Sequence, residues 1–173
     1  MIRKAIFPVL ALILFVFTIP LPALAMDMGV QSTVRLSPIS IEQSLIGVRF
    51  DQSPFVFTPK AGFGIEDRDK DTLKVFTFGC GIDYYLSEQN ALKPYVGGDV
   101  LIDLVDNGDS DTSLSLIPHI GAEYFLNENF SLGADVGIHM GFGDYGDYDE
   151  SESDFRLGTA TSIHGTYYFN TAE

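Results

Sequence analysis

The sequence predicts an all-β fold, an eight-stranded antiparallel up-and-down transmembrane β-barrel, and three observations lead there. From Val30 onward, apolar residues recur at every second position in one segment after another, with almost nothing of helical period. The alternate face of those segments is crowded with glycine. Short polar turns alternate with longer acidic connections, the layout of an outer-membrane barrel.

The chain begins with Met1-Ile2-Arg3-Lys4, a nearly unbroken apolar run from Ala5 to Pro20, and Ala23-Leu24-Ala25. This pattern reads as a secretory signal peptide over residues 1–25 with an A-x-A cleavage site. The run is short for a membrane span, Pro8 and Pro20 interrupt it, and no stop-transfer charges follow. Residues 26–173 are then one barrel domain, 148 residues long, in which eight basic side chains face 24 acidic ones for a formal charge of −16. So acidic a chain disfavours nucleic acid as a partner. The single cysteine, Cys80, excludes an intramolecular disulfide. No second stretch reaches the length of a transmembrane helix, so a membrane protein built from residues 26–173 has to be a barrel.

The strands are read in order. Val30 to Leu36 is the weakest; Ile46, Val48 and Phe50 alternate with Leu45, Gly47 and Arg49 in the next. Phe55 to Ile65 places Phe55, Phe57, Pro59, Ala61 and Phe63 opposite Val56, Thr58, Lys60, Gly62 and Gly64. Phe76, Phe78, Cys80, Ile82 and Tyr84 oppose Val75, Thr77, Gly79, Gly81 and Asp83, and Pro94 to Leu104 and Leu114 to Tyr124 continue the pattern. Phe130 to Phe142 and Phe155 to Phe169 are the two clearest segments. Asp51-Gln52-Ser53, Ser87 to Asn90 and Asn127-Glu128-Asn129 read as tight turns; residues 66–71, 106–111 and 143–153 read as acidic loops.

Alternation alone fits a soluble lipocalin-like barrel with its apolar face turned inward. The other face decides. Gly47, Gly62, Gly79, Gly97, Gly121 and Gly133 are unfavourable in water-exposed strands, whereas a narrow lumen needs small residues to make room for a few large ones. The apolar face therefore points outward to lipid. Phe50, Phe55, Tyr84, Tyr124, Phe130, Tyr167 and Phe169 near the short turns, with Phe63, Phe142 and Phe155 toward the loops, fit two aromatic girdles.

That orientation turns Arg49, Lys60, Arg156, Asp83, Asp99, Asp103, Glu123 and Asp135 inward, where buried charges need partners. Counting from the short turns predicts three layers of a structural network: Arg49 with Asp83 and Glu123; Lys60 with Asp99, His119 and Asp135; Arg156 with Asp103.

The chain resembles the small outer-membrane barrel proteins of the OmpA/OmpX type, in the outer-membrane β-barrel superfamily. The likeness runs over residues 30–169 and is clearest in Gly81-Ile82-Asp83-Tyr84-Tyr85-Leu86 followed by Leu92-Lys93-Pro94-Tyr95-Val96-Gly97-Gly98. Gly165, Tyr167 and Phe169 are similar to the aromatic-terminated signal read by the barrel assembly machinery in that family, although Asn170 to Glu173 follow. The resemblance implies a bacterial outer-membrane location among lipid and lipopolysaccharide, and specifies no activity.

Of the chemical constellations, His119, His139 and His164 all face inward but at different heights, which predicts separate hydrogen-bonding roles and no metal site. A lipid-modifying enzyme needs serine, histidine and acid within mutual reach; no G-x-S-x-G elbow occurs and no lipid-facing Ser-His pair can be drawn. A small pore conflicts with a lumen filled by side chains. The sequence thus points to a non-enzymatic protein without cofactor, in a structural or surface-interaction role. Asp147, Asp149, Glu150 and Glu152 in the last acidic loop are candidates for weak Ca²⁺ binding without an EF-hand spacing.

Overall fold

The computed structural model describes residues 27–37, 43–67, 72–87, 90–106, 110–143 and 155–169. The expected signal peptide lies outside the described residues. Eight strands follow one another: β1 (Asp27–Leu36), β2 (Gln43–Gln52), β3 (Phe55–Asp67), β4 (Thr72–Tyr85), β5 (Leu92–Asp106), β6 (Ser110–Asn127), β7 (Phe130–Gly143) and β8 (Phe155–Phe169). Each pairs antiparallel with the next, and β1 pairs with β8, from Met28 opposite Phe169 to Leu36 opposite Thr161, to close the barrel. Closure leaves no edge strand.

The period of two sorts every strand into two faces. In β1, Gln31, Thr33 and Arg35 are buried while Val30, Ser32, Val34 and Leu36 are exposed. Outward side chains are apolar and bare: Ile46 is 66% exposed, Ile163 65% and Ile82 55%. Such a surface is incompatible with water and fits hydrocarbon. The girdle aromatics sit on it in cross-strand pairs, Phe55 with Tyr84 at 5.1 Å and Phe142 with Phe155 at 5.2 Å. Cys80 is half-buried on this same face, beside Val100 and Pro59.

Two expectations about boundaries change. Glu66 and Asp67 pair with Leu73 and Thr72, and Asp111 and Asp106 pair with Val105 and Ser110, so parts of two acidic segments read as loops belong to ladders. Likewise Asp51 and Gln52 end β2 as paired residues, opposite Val56 and Phe55. Charge density signals solvent, and a hairpin that continues beyond the membrane is solvated without ceasing to be a strand.

Proline marks the wall in two places. Between Gly47–Lys60 and Phe50–Phe57 the β2–β3 ladder is interrupted, and between Leu116–Met140 and His119–Gly137 so is the β6–β7 ladder. Pro59 and Pro118 stand there without an amide hydrogen to give, to the carbonyls of Val48 and Ile138.

Candidate functional site

The lumen is the only place where the barrel gathers chemistry-bearing side chains among the described residues, and it is packed in alternating polar and apolar layers. Leu45, Leu101, Ile117 and Ala160 form one apolar cluster, and Val56, Tyr85 and Tyr95 another. Between them lie groups of charge.

The group nearest the short turns centres on Glu123 of β6, which is fully buried. One carboxylate oxygen accepts from the Arg49 guanidinium at 2.7 Å and from the Tyr85 hydroxyl; the other accepts from Ser131 at 2.5 Å and Tyr168 at 3.1 Å. Arg49 also donates to the Tyr85 oxygen at 2.7 Å. One acid thereby ties β2, β4, β6, β7 and β8 together. Below it the mouth is a recess of about 290 Å³ lined by Asp27, Asp51, Lys93, Phe125, Glu128 and Tyr168. The Lys93 ammonium lies 4.3 Å from the Phe125 ring centre and 5.1 Å from that of Tyr85, a cation held by aromatic faces.

Higher up, Asp99 of β5 is shared by two cations, Lys60 of β3 at 2.7 Å and Arg35 of β1. Arg35 is absent from the expected network, yet it is 3% exposed and anchors β1 to the opposite wall. Its signal is in the alternation, because Val30, Val34 and Leu36 outward place Arg35 inward with Gln31 and Thr33.

Two of the remaining acids differ from the expected layers. Asp83 meets His119 Nε2 at 2.9 Å, and Asp135 accepts from Ser162 at 2.5 Å and Tyr95 at 3.3 Å with His164 Nδ1 3.8 Å away. Neither makes the contact that residue counting assigns to it, with Arg49 or with Lys60. Strands in a closed barrel are tilted and staggered, so equal counts from the turns are not equal heights. Asp103 accepts from Thr77 at 2.6 Å and lies 3.5 Å from Ser115 Oγ. Arg156 occupies an inward position of β8 opposite Gly141, half-buried at the loop end.

The inward glycines are sockets for these groups. A Cβ on Gly97 would stand 2.6 Å from the Ile82 carbonyl and 2.8 Å from His119 Nε2, and would overlap Asp83. On Gly121 it would meet the Tyr95 ring at 2.5 Å, and on Gly133 it would overlap the His164 imidazole. Gly97→Ala is therefore expected to cost about 1–3 kcal/mol by overpacking, read by urea unfolding in lipid vesicles. Gly98→Ala, where only ordinary contacts at 3.8 Å await, is expected to cost less, and equal losses at both positions would contradict the socket account.

The three histidines have different neighbours. His119 also has the Ile117 carbonyl 3.1 Å from Nδ1, and His139 stands between two hydroxyls, Ser37 at 2.9 Å from Nδ1 and Ser115 at 2.8 Å from Nε2. Ser115 and His139 thus make a serine–histidine pair that strand reading does not anticipate. Both are buried in the lumen, Ser115 1% and His139 2% exposed, and the second imidazole nitrogen meets the Ser37 hydroxyl. Among the described residues no cluster of His, Cys, Asp or Glu has the makings of a metal site. Asp147, Asp149, Glu150 and Glu152 lie outside the described residues.

A closed eight-strand wall with an apolar exterior and a charged, filled interior defines a small transmembrane β-barrel. Solved structures share that fold. The chain is similar to Neisserial surface protein A, with 16% identity over 83% of this chain and 96% of the other and a TM-score of 0.53. It is also similar to a major outer membrane protein from Thermus thermophilus, with 14% identity, 84% and 100% coverage and a TM-score of 0.52. The N-terminal β-barrel domain of Pseudomonas aeruginosa OprF matches at 13% identity, 83% and 97% coverage and a TM-score of 0.50. No family model and no curated protein sequence matches the chain. At such identities the likeness is one of fold, that of the eight-stranded outer-membrane β-barrels.

Proposed function

We propose that the chain is a non-enzymatic protein of the bacterial outer membrane, exported by its signal peptide, with a structural or surface-interaction role. The observation that carries this reading is the filled lumen. Ion pairs from Arg35, Arg49 and Lys60 cross it, and hydroxyls and aromatic rings occupy the space between them. An interior committed to holding opposite walls together supplies rigidity, and it supports neither conduction nor catalysis. The bare apolar exterior argues against the soluble lipocalin-like alternative, and the burial of the serine–histidine pair inside the lumen, away from any lipid substrate, argues against the lipid-modifying one. One protein of like fold is by name a surface protein.

Its partners in this reading are outer-membrane lipid, lipopolysaccharide and, through Gly165, Tyr167 and Phe169, the barrel assembly machinery. The acidic connections extend the reading to the cell surface, where carboxylates crowded on one rim gather Ca²⁺ weakly. Planar-bilayer recordings are the test. Reconstituted protein is expected to give no stable, large single-channel steps, and reproducible porin-sized steps would sink the proposal.

A further inference from the structure

Around the Glu123 hub, three buried polar atoms have no hydrogen-bond partner among the described residues. Arg49 is 1% exposed and gives one terminal nitrogen to Glu123 and Tyr85, yet its Nε–H has no acceptor. Two hydroxyls are in the same condition: Thr58 of β3, 1% exposed, and Thr166 of β8, 0% exposed. The register brings the three to one side of the lumen. The β2–β3 ladder keeps the same pairing on both sides of the Pro59 interruption, Gly47 with Lys60 and Phe50 with Phe57, so Thr58 stands across from Arg49 within it. On the other flank of Arg49 lies Gly29 of β1, which pairs in turn with Tyr168, and the next inward pair along is Gln31 with Thr166. Two glycines decide how the threonines turn. The Thr166 methyl lies 3.0 Å from where a Cβ on Gly29 would stand, and the Thr58 methyl 2.8 Å from that of Gly47. With each methyl held in a glycine socket, each hydroxyl is turned off that part of the wall.

We propose that Arg49 Nε, Thr58 Oγ1 and Thr166 Oγ1 form a binding site for internal water, held behind the Arg49–Glu123 ion pair as part of the barrel. A buried N–H or hydroxyl left unpaired keeps its full desolvation cost, so groups of this kind find partners in folded proteins. The donor set selects the ligand. Water accepts from the Arg49 N–H, donates to or accepts from either hydroxyl, and brings no charge; an internal water makes about three hydrogen bonds. A small anion is disfavoured because the Glu123 carboxylate, 2.7 Å from the guanidinium, already answers its charge. A metal cation is repelled by the same guanidinium and meets no carboxylate in this set. The site also completes the hub. Glu123 ties β2, β4, β6, β7 and β8 directly, whereas β3 supplies none of the groups bonded to it. Water between Arg49 and Thr58 joins β3 to that tie at the place where Pro59 interrupts its ladder with β2.

The test is water–protein NOE and ROE spectroscopy of the isotope-labelled chain in phospholipid nanodiscs. Cross-peaks from water to the Arg49 Nε proton are expected with opposite signs in the two experiments, the mark of a water that stays bound while the barrel tumbles. Replacing both hydroxyls by methyls of the same shape, in T58V/T166V, should weaken the Arg49 cross-peak several-fold. The same exchange on the outward face of β8, T159V, should leave it unchanged. Heat-dependent gel mobility and a dispersed amide spectrum check that each variant is a folded barrel. No cross-peak at the Arg49 Nε proton of the wild-type chain overturns the site. An undiminished cross-peak in T58V/T166V overturns the assignment of the threonines to it. An Arg49 Nε resonance that moves when bromide replaces sulfate in the buffer overturns water in favour of an anion.

Discussion

Glu123→Leu is expected to lower the unfolding free energy of the barrel by about 3–5 kcal/mol, among the largest effects of any single change in the chain. The carboxylate is the ion-pair partner of the Arg49 guanidinium, which is 1% exposed, and the shared acceptor for Tyr85, Ser131 and Tyr168. Removing it leaves a buried cation without that counter-charge and three hydroxyls in need of other acceptors. Arg49→Met should cost a comparable amount for the converse reason, a stranded carboxylate. The double variant R49M/E123L replaces the pair by apolar side chains and should cost less than the sum of the two. Urea titration in phospholipid vesicles gives the three values, followed by tyrosine emission since the chain has eight tyrosines and no tryptophan. Strict additivity would show that Arg49 and Glu123 do not depend on one another.

The outline of this barrel can be read from the chain because a half-buried strand writes its two faces in alternation, and seven of the eight segments alternate over many residues. What alternation cannot convey is the stagger between strands. Counting from the turns places Asp83 with Arg49, while the tilt carries it to His119. The inward glycines show the same limit. That Gly97 and Gly133 are small is visible in the sequence, but that one receives Asp83 and His119 and the other His164 depends on the cross-strand register. Arg35 is hard to single out because β1 is the weakest segment, with Ser32 on its outward face blurring the pattern. At the loop ends, Glu66 and Asp106 read as solvent-exposed connection because their charge masks strands that run on past the membrane.

Arg35 changes what is expected of its neighbours. With Lys60 as the only cation near Asp99, Lys60→Met would strand a buried acid; with Arg35 also in contact, Asp99 keeps a partner when either cation is lost. Lys60→Met and Arg35→Met are thus each expected to cost less than Asp99→Leu, which leaves two cations facing each other in a low-dielectric lumen and should cost about 3–5 kcal/mol or more. The same count makes a sharper claim. Because K60M removes one of the two charges that D99L strands, D99L/K60M should be more stable than D99L alone, a loss-of-contact change that rescues. Urea unfolding of the four variants in vesicles orders them. If Lys60→Met destabilises as much as Asp99→Leu, Arg35 is not the second partner of Asp99; if it fails to relieve Asp99→Leu, Lys60 is not a partner; either result makes the three-membered tie between β1, β3 and β5 wrong.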